Sequence, residues 1–141
     1  MPHRHVLTLP AVPCAVRVAR ETADQALAEW GIGPRHPVVD PALLILAELV
    51  TNAVRHAAVL SPTVTVTYAA GPDCLAFSVH DRHPRQPSLL DACTGTGSGG
   101  LTTVMELVVA RDGAAGVRTD ADGRGKSVWI TLPLSQGSTP A

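Results

Sequence analysis

Apolar positions along the chain follow two rhythms. From Val12, the residues Ala15, Val16, Ala19, Ala23, Ala26, Leu27 and Trp30 recur at helical spacing, and Gly31 stops the run. Arg17 with Glu21, and Arg20 with Asp24, sit four apart on the polar side of that pattern, as on a solvated helix face. Leu43 to Ala58 (LLILAELVTNAVRHAA) contains neither Gly nor Pro. It places Leu43, Leu46, Val50, Ala53 and Ala57 on one helical face. Asp40-Pro41 reads as the N-cap and first-turn proline of this helix. Leu101, Val104, Met105 and Val108 give a further helical pattern, ended by Gly113. Strand rhythm marks Thr63 to Ala69 and Leu75 to His80, an alternating pair around the turn Gly71-Pro72-Asp73. Val128 to Leu132, stopped by Pro133, is another strand; Val6 to Leu9 and Gly116 to Thr119 are shorter candidates. Ser88 to Ala92 reads as a short helical turn.

These elements predict an α/β fold: a two-layer sandwich with a mixed, mainly antiparallel sheet and helices on one face. Residues 1–134 are expected to form one domain and residues 135–141 a disordered tail. Composition sharpens the picture in two ways. Hydrophobic residues make up 45% of the 141 positions but aromatics only 3%, so the core must be built from Ala, Val and Leu. A formal net charge of −1 and no basic stripe argue against nucleic acid as a partner. No apolar run has membrane-spanning or signal-peptide length, and Pro10 and Pro13 interrupt the start. The three cysteines form no CxxC pair, which suits free thiols. A cytoplasmic protein is expected.

Four features that could carry chemistry follow one another along the chain. Glu48 and Asn52 lie four apart on the polar side of the central helix, with Arg55 beside them. Asp81 ends a strand before the irregular DRHPRQP segment. TGTGSGG, Thr94 to Gly100, is a glycine-rich loop feeding a helix. Lys126-Ser127 opens the last strand. Glycine lets backbone approach closely, and free N–H groups at a helix start attract anions, so such loops suit phosphates. Asp81 can accept from an exocyclic amine. Asn52 offers a hard oxygen to Mg²⁺, Arg55 can neutralise phosphate, and Glu48 can receive a proton. Together these point to a purine nucleoside triphosphate with Mg²⁺.

Better-known nucleotide motifs fit less well. Gly95-x-Gly97-x-x-Gly100 matches the dinucleotide fingerprint, but it does not directly follow a strand in a βαβ unit. Gly123 to Ser127 looks like the end of a P-loop, yet Asp120 stands where the first glycine belongs, and a strand follows instead of a helix. His3 with His5, and His80 with His83, lack further ligands at metal spacing.

ELVTNAVRHA, then VHD before a Pro-containing loop, then a Gly-rich stretch ending GGL, then GKSVWITLP, resembles the Bergerat-fold ATPases, which include gyrase, Hsp90, histidine kinases and MutL. Within that group the chain most resembles the bacterial anti-sigma-factor serine/threonine kinases, over about Val6 to Leu134. The resemblance implies ATP and Mg²⁺ as cofactors, a sigma factor or an anti-sigma antagonist as partner, and a homodimer. Glu48 would orient or deprotonate the attacking group, and Asn52 would bind the metal. Arg55 would lie near phosphate. Asp81 would accept from the adenine amine, with Ser127 helping through a water. Gly97, Gly99, Gly100 and Leu101 would form the hinge and floor of an ATP lid. The chain departs from the family pattern at His83, where a glycine is common, and in the lid, where GTGSGGL replaces a GRGL ending.

Overall fold

The computed structural model describes residues 2–57, 62–82 and 99–134. In chain order these form β1 (His3–Pro10), α1 (Ala15–Glu29), α2 (Val39–Ala57), β2 (Thr63–Ala70), β3 (Cys74–Asp81), α3 (Gly99–Ala110), β4 (Ala114–Thr119) and β5 (Lys126–Pro133). The expected turn at Ser88 to Ala92 and the tail from Ser135 lie outside the described residues.

The strands form one sheet in the order β1-β2-β3-β5-β4, and every pairing is antiparallel. The sheet is therefore antiparallel throughout, where the sequence led us to expect a mixed one. The helical segment between β3 and β4 does make those two strands run parallel, as a crossover should. But β5 folds back from β4 and inserts between them, so they never become neighbours.

All three helices of the described residues pack on one face. Burial alternates strictly along β2, β3 and β5. Val64, Val66, Tyr68, Leu75, Phe77, Val79, Ile130 and Leu132 point at the helices and are almost wholly enclosed. Tyr68 and Phe77 meet edge to face at 5.7 Å. The helix side answers with small residues: Ala15, Ala19 and Ala23 are buried along α1, which lets that helix lie close. Gly31, at φ +81°, reverses the chain after α1, where Ile32 N–H donates back to Leu27 O at 2.8 Å.

α2 begins at Val39, one residue before the expected Asp40 cap. A turn through His36 prepares it: the Val38 N–H donates to His36 Nδ1 at 3.0 Å, so an imidazole does the capping. Asp40 and Pro41 then occupy the first turn, where an acid suits the helix dipole and a missing N–H costs nothing.

Topology gathers several chain segments at one end of the sheet. α2 leads within five residues into β2, so its last turns lie near the start of β2 and hence the end of β3, because Thr65 pairs with His80. α3 turns straight back into β4 through Arg111, Asp112 and Gly113, with Gly113 N–H bonded to Val108 O at 2.8 Å. Its beginning therefore lies towards the end of β4, where Thr119 pairs with Lys126.

Candidate functional site

Asp81 and Lys126 stand at that end of the sheet, and α2 carries Glu48 at its middle and Asn52 and Arg55 on the turns that follow. On α2 the buried arc is wider than the apolar stripe suggested: Ala42, Ile45 and Leu49 are enclosed as well as Leu43, Leu46, Val50 and Ala53. Glu48 and Asn52 consequently sit at the border of the buried arc, both half-buried, one turn apart. Arg55 projects from the exposed side.

Asp81 is the last residue of β3, and strand alternation aims it at the helix face together with Val79. It is 3% exposed. Directly opposite on β5 stands Lys126, 5% exposed, on the same face. Its Nζ donates to both carboxylate oxygens, at 2.9 Å to Oδ1 and 3.0 Å to Oδ2. Among the described residues these are the two charged side chains that are buried.

Ser127 is placed differently from what the resemblance implied. It pairs with His80, not Asp81, so alternation turns its side chain to the outer face of the sheet. Lys126, instead of Ser127, stands beside the carboxylate. The missed signal was parity: Asp81 lies two residues after the inward Val79, and Lys126 two before the inward Val128.

A second charged network closes the outer face at this end. His80 Nε2 meets both oxygens of Asp120, at 3.0 and 2.9 Å. Arg82 donates to Asp120 at 3.0 Å and to Asp122 at 2.8 Å, tying the end of β3 to the β4–β5 turn. The Arg124 backbone N–H, with Arg82 next, holds the Asp122 carboxyl below its ordinary value, and Asp122 raises the Arg82 guanidinium. Gly125 sits in the tightest part of this turn. A Cβ there would lie 2.4 Å from Asp120 Oδ2 and 2.7 Å from the Asp81 carbonyl oxygen.

Of the predicted lid residues, Gly97 lies outside the described residues. Gly99, Gly100 and Leu101 are the first residues of α3, so the helix starts two residues inside the expected loop. First-turn N–H groups have no intrahelical acceptor and can meet an anion. The histidines have other occupations: His3 stacks on Trp30 at 5.4 Å, and His80 holds Asp120. His83 is outside the described residues.

The donor set fits a hard cation that arrives with its ligand. No group of three or more His, Cys, Asp and Glu among the described residues could hold a metal alone. A neutral oxygen from Asn52 suits Mg²⁺ that takes its remaining ligands from phosphates and water.

An open antiparallel sheet, helices packed on one face, an acid–amide pair on the central helix and a buried carboxylate at the end of β3 define a two-layer domain of Bergerat type. The chain belongs to the histidine kinase-, DNA gyrase B-, and HSP90-like ATPase family, whose model matches residues 38–136. Among solved structures it is similar to the histidine kinase domain of the blue-light activated histidine kinase EL346 from Erythrobacter litoralis. That match has 25% identity and a TM-score of 0.54, covering 68% of this chain and 47% of that one. The full-length ShkA structure in complex with AMPPNP matches at 23% identity and TM-score 0.58, over 97% of this chain and 33% of that one. The Acinetobacter baumannii histidine kinase AdeS matches at 15% identity and TM-score 0.55, over 92% of this chain and 68% of that one. The chain thus spans about half the length of the first of these structures, and a third of the second. No curated protein matches it. No helix of the described residues is long and apolar enough to cross a membrane.

Proposed function

We propose that this protein is an ATP-dependent protein kinase of the anti-sigma type, passing the γ-phosphoryl group to a serine or threonine of an antagonist protein. The observation that carries the reading is the half-buried Glu48–Asn52 pair, one turn apart on α2, in a fold whose β3 ends on the buried carboxylate of Asp81. Asn52 would hold Mg²⁺, which would neutralise phosphate charge there. Glu48 orients the attacking hydroxyl and takes up its proton. Asp81 accepts from the base amine. The N–H groups of Gly99 and Gly100 approach the phosphates, and Arg55 adds positive charge beside them. Catalysis is then positioning and charge neutralisation. A sigma factor and a second copy of the chain are the remaining partners in this reading, and the site lies in the cytoplasm.

A second reading has its own support, because the similar solved structures are of histidine kinases. There the domain would phosphorylate a histidine on a separate partner. A third has the nucleotide gate partner binding without turnover. One experiment separates them: the protein with labelled ATP, Mg²⁺ and each protein encoded beside it, the labelled product then exposed to acid. Acid-stable phosphoserine or phosphothreonine supports the anti-sigma reading. Acid-labile phosphate moves it to a histidine acceptor. Tight ATP binding with no transfer favours the gate.

A further inference from the structure

We propose that Lys126 reads the nucleotide base together with Asp81, donating directly to the ring nitrogen beside the amine that Asp81 accepts. The inference rests on the proposed function only in taking this site to hold adenine. The β3–β5 register fixes the two residues opposite each other on one face, and the bonds of 2.9 and 3.0 Å hold ammonium and carboxylate side by side. Their burial matters. Desolvating an ion pair costs about as much as the attraction returns, so such a pair is a weak device for stability. As a reading device it is well suited. A carboxylate only accepts and an ammonium only donates, so together they form an ordered acceptor–donor couple.

The adenine edge is the complement, with an amine that donates next to a ring nitrogen that accepts. A lone carboxylate would test the amine and nothing beside it. The couple tests both positions, and an ammonium rotates about its last bond to redistribute its donors as a base arrives. Ser127, the residue implied to assist through a water, is on the opposite face of the sheet and cannot reach this edge. Gly125, just before Lys126, keeps β5 tight against the Asp81 backbone, because a Cβ there would strike the Asp81 carbonyl oxygen at 2.7 Å.

The test compares ATP with 1-deaza-ATP, in which C–H replaces the ring acceptor, by calorimetry with Mg²⁺. Wild type is expected to bind the deaza analogue about tenfold or more weaker, the loss for a hydrogen bond from a charged donor. Lys126→Met is expected to bind both equally. That variant leaves a buried carboxylate unpaired, so the isosteric double variant Asp81→Asn with Lys126→Met is measured as well, with a thermal melt of each. Equal binding of the two nucleotides by the double variant supports the proposal even if the single variant fails to fold. An equal penalty in wild type and either folded variant, or no penalty in wild type, overturns it. Wild type that binds no ATP at all overturns the nucleotide reading itself.

Discussion

The hydroxyl of Tyr68, in the middle of β2, donates to the backbone carbonyl of Ala19 on α1 at 2.8 Å. Tyr68 has no exposed surface, and burial pushes its phenol well above the ordinary 10.0. This bond ties the first helix to the sheet across the core and gives a poorly aromatic interior one polar anchor. Tyr68→Phe removes the donor while Ala19 keeps its place in a helix. The expected loss is about 1 kcal/mol, read from denaturant midpoints at neutral pH.

The same residue sets an alkaline limit. Its proton is held more tightly in the folded state than in the unfolded chain. The associated stability is therefore fully present below pH 10 and declines as pH rises above it. Melting temperatures above pH 10 should fall faster for wild type than for Tyr68→Phe. Parallel curves would remove Tyr68 from the account.

Glu48 and Asn52 should separate chemistry from binding. Asn52→Ala is expected to weaken Mg²⁺-dependent ATP binding by at least tenfold and to abolish transfer. Glu48→Ala should bind ATP within a few-fold of wild type yet lose phosphoryl transfer by about a hundredfold or more, the usual scale of general-base catalysis. Calorimetry and single-turnover labelling measure the two arms. Transfer surviving in Asn52→Ala would break the mechanism.

Gly113 is a packing position. A Cβ there would lie 2.3 Å from the Thr131 carbonyl oxygen and 2.9 Å from a Leu132 methyl. Because the obstacle includes backbone of the neighbouring strand, Gly113→Ala should cost about 1–3 kcal/mol, visible as a lowered thermal midpoint. Alanine at Gly33, where nothing lies within 4 Å, serves as the comparison and should change little.

Much of the fold was legible in the chain because local periodicity reports local burial. The alternating TVTVTYA and LAFSVH segments became β2 and β3 with one or two residues added at their ends. The long apolar helix became α2. The start of that helix was misplaced because its cap comes from a histidine ring three residues earlier, not from a short polar side chain. Of the two (i, i+4) pairs on α1, Arg17 and Glu21 do meet, at 3.5 Å on the surface.

The sequence by itself determined which residues could face inward, where turns fall, and that an acid and an amide share a helix one turn apart. These follow from the periods of helix and strand. Only the tertiary structure decided strand order, and with it who stands beside Asp81. Insertion of β5 between β3 and β4 made the sheet wholly antiparallel and set Lys126 across from the carboxylate. Register between strands 45 positions apart in the chain depends on non-local hydrogen bonds and core packing, which no short-range pattern encodes.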